Sequence, residues 1–286
     1  MSEPDNLVKS APEKGVRGLI EVFVKAALNF LDDDGTLLAA AIAYYSMLSV
    51  VPLLLALASI ASFFIDQQWA IEQATMLLDE YVPQGVGRIR DIVHQAIDQR
   101  ESVGLISTIT FFWSGSRVFS ALTRALNSAF NVEDSYSFLR RTALELSMAV
   151  SIGLFFIVAL VASVVLNLLI GVLNVLPNGQ DEVSFLLSEG LSLSLLLVAF
   201  FLIYKVVPRH KVGQPAALVG ALTATVLFTL GRPLFLRYVG QFANYNEIYG
   251  PLAIVIVLVF WAWISAVILL YGGEVAAQVE EMLRGR

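Results

Sequence analysis

The sequence predicts an all-α integral membrane protein: a bundle of six transmembrane helices with an N-terminal amphipathic helix and a helical outward loop. Three observations carry this reading. Of 286 residues, 57% are apolar and only 15% charged, far from the near one-half and one-quarter of soluble domains. Apolar runs of about 20 residues, the length a helix needs to cross a roughly 30 Å hydrocarbon layer, recur six times. None alternates as a barrel strand does, and only helices or closed barrels satisfy every backbone group in lipid. The chain thus divides into a cytoplasmic N-terminal segment (1–36), a six-span domain (37–277) with its outward loop at 66–102, and a cytoplasmic tail (278–286). A net charge of −6 offers no field for nucleic acid, and the absence of cysteine excludes disulfides, thiolate catalysis and Cys-ligated zinc.

No short apolar core follows a basic start, so no cleavable signal is expected. Val16, Leu19, Ile20, Phe23, Val24, Ala27 and Leu31 recur at helical spacing, with Arg17, Glu21 and Lys25 on the other face. This stripe fits either a helix lying on the membrane surface or one packed on the cytoplasmic end of the bundle. Asp32, Asp33 and Asp34 follow, where carboxylates suit the N-terminus of the first span. The spans run approximately Leu37 to Ile65, Val103 to Leu122, Leu144 to Leu173, Phe185 to Val207, Ala216 to Leu236 and Gly250 to Ala277. The loop 66–102 carries seven acids against Arg88, Arg90 and Arg100 and reads as two amphipathic helices broken at Pro83, Gly85 and Gly87.

Orientation follows from Lys and Arg in the short connections, because positive flanks resist translocation. With the N-terminus inside, one side holds Lys9, Lys14, Arg17, Lys25, Arg117, Arg124, Arg140, Arg141, Lys205, Arg209, Lys211, Arg284 and Arg286. The other holds Arg88, Arg90, Arg100, Arg232 and Arg237. Thirteen against five puts both termini in the cytoplasm.

Ionisable groups within spans cost a few kcal/mol unless paired or wet. Arg117, Glu145 and Glu274 fall near the cytoplasmic boundary, Glu189 and Arg232 near the outer one. Each layer holds opposite charges, so Arg117 is expected to pair with Glu145 or Glu274, and Glu189 with Arg232. The alternative is that each snorkels to its own interface. Polar stripes accompany them: Thr225, Thr229 and Arg232 on one face of the fifth span, Tyr45, Ser49 and Pro52 in the first, and Ser163, Asn167 and Asn174 in the third. Pro52 frees a carbonyl and is expected to kink its helix. Ala216, Gly220 and Ala224 form a small-xxx-small row, the signature of close helix packing. Tyr238, Tyr245 and Tyr249 crowd the last outer turn and suit either headgroup anchoring or headgroup recognition. Trp261 and Trp263 lie mid-span, where helix packing explains them.

These residues also carry a resemblance. AAAIAYYSMLSVVPLLL (Ala39 to Leu55), FWSGSRVFSALTRALNSAF (Phe112 to Phe130), YKVVPRHKVG (Tyr204 to Gly213) and YNEIYGPLAIVIVLVFWAWISAVILLYGGEVAAQ (Tyr245 to Gln278) resemble the YihY/BrkB family of bacterial membrane proteins. The resemblance covers about Leu19 to Ala277. It implies a six-span inner-membrane protein, an old family label of ribonuclease BN, and a link to virulence and serum resistance. The residues do not support the nuclease label, because a metal-dependent nuclease needs several His and Asp ligands converging on metal. The chain has only His94 and His210, assigned to opposite sides of the membrane.

No P-loop, Gly-x-Ser-x-Gly elbow or HExxH is present, so no catalytic residue, metal or cofactor is assigned. Two functions stay in view. One is a transporter or flippase-like protein for a lipid or other amphiphile, with Arg117, Glu189, Arg232 and Glu274 lining or gating its path. The other is a non-transporting scaffold that binds an envelope protein. Membrane lipids are partners in both.

Overall fold

The structure, a computed structural model, describes residues 16–61, 100–132, 180–241 and 252–285 together with Ala143, Leu144, Ser147, Val150 and Ser151. Among the described residues are six helices: α1 (Val16–Asp32), α2 (Gly35–Ala61), α3 (Arg100–Ala129), α4 (Gln180–Val206), α5 (Gln214–Gln241) and α6 (Leu252–Arg284). Among the described residues Glu189–Val206, Gln214–Gly240 and Val255–Arg284 are long and apolar enough to cross a membrane, and α2 adds a shorter apolar stretch, Gly35–Ser49. Five predicted spans thus fall on α2 to α6. The third, Leu144 to Leu173, and the outward loop lie almost wholly outside the described residues.

Local chemistry sets the helix ends. α3 closes on Asn131, whose φ of 52° is left-handed. The N–H of Val132 donates to Asn127 O, and that of Asn131 to Ser128 O, both at 2.8 Å. That double bond is the Schellman arrangement, with asparagine where glycine is more usual. α4 stops at Val206 because the residue before Pro208 resists helical geometry. Pro215 then stands in the first turn of α5, where a missing N–H costs nothing. Between α1 and α2, Asp34 takes a φ of 54° while its carbonyl accepts from Leu37 and Leu38, ending one helix and starting the next. Gly35 is required there, since a Cβ would run into the ring and carbonyl of Phe30.

α6 is the hub, packing against each of the other five helices. Its tightest partner is α5. A Cβ on Gly220 would lie 2.5 Å from Gly272 O and 2.7 Å from Ala276 Cβ, and one on Gly272 would lie 2.9 Å from Ala224 Cβ. The predicted row of small residues on α5 therefore meets a matching row on α6, which lets the backbones touch. On the next face of α6, Gly273 leaves room for Leu126 of α3. Tyr204 of α4, wholly buried, donates its hydroxyl to Leu269 O at 2.7 Å.

α1 packs on the bundle, one of the two readings offered for it. Gly18, Val22, Ala26 and Phe30 form a buried stripe at a four-residue interval, and Tyr271 of α6 donates to Phe23 O at 3.1 Å. The stripe named from sequence is the other one: Ile20, Phe23, Val24 and Leu31 are exposed. The helix packs by its Gly18, Val22, Ala26 and Phe30 face and presents Ile20, Val24 and Leu31 outward. α6 continues unbroken to Arg284, and Val279 and Glu280 are buried in its last turns.

Gly220→Leu should lower the thermal unfolding midpoint of the detergent-solubilised protein by the equivalent of about 1–3 kcal/mol or more, the usual range for overpacking. Gly190→Ala is the control. Its added methyl meets nothing within 4 Å, and the mid-helix change should be neutral or stabilise by up to about 1 kcal/mol.

Candidate functional site

Two regions hold the chemistry, a polar end and an apolar groove. At the polar end the α1–α2 turn, the C-terminus of α3, the 207–213 loop and the last turns of α6 meet. Glu280 anchors it: Oε2 accepts the Gly213 N–H at 2.8 Å and Oε1 accepts from Arg284 Nε at 3.0 Å. His210 Nε2 stands 4.0 Å from Oε1 and its ring stacks on Phe130 at 6.0 Å. Asn127 Oδ1 accepts the Arg209 N–H at 3.0 Å, and Lys205 Nζ donates to Val212 O. Burial lowers the Arg209 guanidinium from its ordinary value, although arginine stays charged. These bonds tie the α4–α5 connection to α3 and α6. A polar pocket of about 220 Å³ lies beside them, between Phe130, His210, Gln278, Glu281 and Arg284.

The groove lies between α2, α5 and α6. Ala40, Ala43, Tyr44 and Met47 form one wall, Val255 to Trp263 the other, and Tyr238 and Val239 close the far end. Its volume is about 630 Å³, within the range of small-molecule sites. From Trp263 to Val255 it runs about 12 Å along α6. Its walls are braced from behind. Trp261 packs on Phe228 and Phe235 with ring centroids 5.4 and 4.8 Å away, Phe260 stacks on Trp263 at 5.9 Å, and Trp263 Nε1 donates to Thr36 O at 3.3 Å. The mid-span tryptophans are packing residues, as their depth suggested.

The charged layers are rearranged. Arg117 does not pair with Glu274. It is exposed and lies over the Trp113 ring, 5.7 Å from its centroid. Glu274 is 3% exposed and faces Asp33, another acid. Glu189 and Arg232 are both exposed, and no ion pair joins the two. The sequence could not set the rotation of each helix about its axis. Glu145, Tyr245 and Tyr249 lie outside the described residues, as do Ser163, Asn167 and Asn174.

The polar stripes also split. Ser49 Oγ donates to Ser46 O at 2.7 Å, which satisfies it within its own helix, and Tyr45 packs edge-on against Tyr44 at 5.3 Å. Pro52, half-buried, sits inside a helix that continues to Ala61. Thr225 is buried with an Oγ1 that has no partner among the described residues, whereas Thr229 and Arg232 are exposed. Of the described candidate site residues, Tyr238, exposed and 6.2 Å from the Phe260 ring, joins the groove. Sequence reasoning passed over Asn127, Tyr204, Glu280, Ala40 and Ala43. Asn127 and Glu280 had a legible signal, being polar groups on helix faces otherwise filled with alanine, leucine and valine. The alanines had none.

Comparison with known proteins bears on this architecture. Residues 26–286 match the family described as Virulence factor BrkB. The chain belongs to that family. A Bacillus subtilis (strain 168) relative named ribonuclease-like protein YfkH is 28% identical over 267 residues, covering 91% of this chain and 94% of its own. The UPF0761 membrane protein of Haemophilus influenzae (strain 86-028NP) is 26% identical, covering 85% and 89%. That of Vibrio atlanticus (strain LGP32) is 26% identical, covering 98% and 89%. No solved structure matches the chain. Apolar helices of spanning length and relatives named membrane proteins agree that this BrkB-family member is a helical membrane protein.

Glu280→Ala strands the Gly213 N–H and frees Arg284, and should cost about 1.5–3 kcal/mol, as for hydrogen bonds to charged groups. Asn127→Ala removes a neutral acceptor and should cost about 0.5–1.5 kcal/mol. Thermal unfolding in detergent gives both losses, and faster proteolysis at 207–213 shows that the loop is what comes free.

Proposed function

We propose that this BrkB-family protein moves or handles a lipid or similar amphiphile in the bacterial inner membrane. The groove between α2, α5 and α6 carries the reading. Helices that cross a bilayer normally fill the space between them with side chains, because lipid supplies no hydrophobic drive to hold a void open. Here three apolar walls leave about 630 Å³, space that suits hydrocarbon. At the α5 end, Arg232 and Arg237 are exposed and make no ion pair among the described residues, while Tyr238 stands in the groove itself. Arginine and tyrosine beside an apolar slot fit an anionic headgroup above an acyl chain.

An excess of Lys and Arg on the helix ends gathered around Glu280 supports a cytoplasmic position for that end, and hence for both termini. The Tyr238 end then faces outward. The name of the YfkH relative does not carry over as an activity. The chain has two histidines, and the described one, His210, is engaged by Phe130 and Glu280.

The test is a liposome assay with a fluorescent anionic phospholipid. Wild-type protein should speed exchange between leaflets. Ala40→Trp, which fills the groove from an exposed position on α2, should slow it about tenfold, roughly 1.4 kcal/mol at the barrier, with the unfolding midpoint unchanged. Wild-type protein that never alters lipid distribution, with or without a proton gradient, would leave the non-transporting scaffold for an envelope partner as the reading to pursue.

A further inference from the structure

α1 divides its surface three ways. Each residue turns a helix by about 100°, which puts the buried residues Gly18, Val22, Ala26 and Phe30 on one arc. Ile20, Phe23, Val24, Ala27 and Leu31 fall together on a second arc of about 100°, and all of them are exposed. The third arc carries Glu21, Lys25 and Asp32, also exposed, with Leu28 among them. Glu21 and Lys25 pair there at 2.7 Å. A helix in water would hide the second arc, and a helix in hydrocarbon would hide the third. One that rests on protein by its first arc, on lipid by its second and on water by its third satisfies all of them.

The depth at which α1 is held agrees. From Leu252 to Tyr271, α6 carries no charged side chain, a stretch of about 30 Å at 1.5 Å per residue, the thickness of the hydrocarbon layer. Glu274 is the first charge beyond it. Tyr271 therefore stands where α6 leaves the hydrocarbon, a level that suits tyrosine, and its hydroxyl donates to Phe23 O at 3.1 Å. After Asp33 and Asp34 the chain turns into α2, whose Leu37, Tyr44 and Leu48 are again exposed apolar groups. At this level the apolar occupant at hand is the acyl end of the lipid. The charges set the kind of surface. α1 carries Arg17 and Lys25 against Glu21 and Asp32, so it has no excess of positive charge to draw anionic headgroups.

We propose that α1 is an interfacial helix docked sideways on α6, with Ile20, Phe23, Val24, Ala27 and Leu31 sunk into the acyl boundary of the bilayer whatever the charge of its lipids. One face fixes it to lipid and another to the bundle, and the α1–α2 turn is thereby held at the membrane surface. This seating is independent of the groove: a protein that moves no lipid would still hold α1 in the same way.

The experiment uses the full chain, which has no cysteine of its own, in nanodiscs of phosphatidylcholine alone and of phosphatidylcholine with phosphatidylglycerol. Single nitroxide labels go on Ile20→Cys, Val24→Cys and Leu31→Cys in the second arc and on Glu21→Cys and Lys25→Cys in the third. Ala27→Cys and Asp32→Cys stand in for any position at which the labelled protein does not keep the unfolding midpoint of the unlabelled one. Collisions with oxygen, which partitions into lipid, and with a water-soluble nickel chelate report where each label stands. Labels on the second arc should meet oxygen in preference to nickel, at a depth of about 5–10 Å. Those on the third should show the reverse, and the alternation should be the same in both lipid mixtures. Second-arc labels that meet nickel as readily as third-arc ones place that face in water and overturn the proposal. Labels that meet neither reagent show the face covered by protein, a second copy or another part of the chain, and overturn it as well. An alternation present only with phosphatidylglycerol would mean that charge, and not apolar burial, holds the helix.

Discussion

The rest of the structure depends on how closely α5 and α6 approach. Apolar side chains gain nothing by leaving lipid for a neighbouring helix, so packing in a membrane rests on close van der Waals contact and on hydrogen bonds. Gly220, Ala224, Gly272 and Ala276 remove the side chains from this contact, and the backbones meet. With α5 against one face, α6 turns Gly273 to Leu126 of α3 and takes the Tyr204 hydroxyl on Leu269 O. α1 and α2 fill what remains. A single helix thereby becomes the common partner of five.

This arrangement separates two kinds of chemistry along α6. Its first three turns carry valine, isoleucine, leucine, phenylalanine and tryptophan, and there the helices part enough to leave the groove. Its last turns carry Glu274, Glu280 and Arg284, where the inter-helix bonds become polar. The separation has a physical reason. An unmet donor in hydrocarbon costs several kcal/mol, so polar clamps such as Glu280 to Gly213 and Asn127 to Arg209 belong near water. The apolar half can tolerate space because acyl chains are available to occupy it.

How legible this was varied with the range of the interaction. The close-packing row on α5, the packing role of Trp261 and Trp263 and the existence of α1 were all readable, because each follows from composition and spacing within one helix. The charge pairs were not. Opposite charges at one depth are necessary for pairing, but each residue turns a helix by about 100°, and a small error in rotation carries Arg117 from Glu274 to the face of Trp113. α1 shows the same limit. It has two stripes able to lie against something apolar, and the bulkier one drew the eye, whereas the smaller-residue stripe of Gly18, Val22, Ala26 and Phe30 fits against α6.

By itself the sequence determined that this chain enters a membrane, that it does so as helices, and roughly where the described ones begin and end. Those outcomes depend on transfer free energy and backbone preference, which are sums over neighbours along the chain. Only the tertiary structure decided that Tyr271 meets Phe23, that Glu280 holds the 207–213 loop, and that Ala40 and Ala43 border a groove. Each of these brings together residues separated by dozens or hundreds of positions, and their meeting is set by the rotation and spacing of rigid helices.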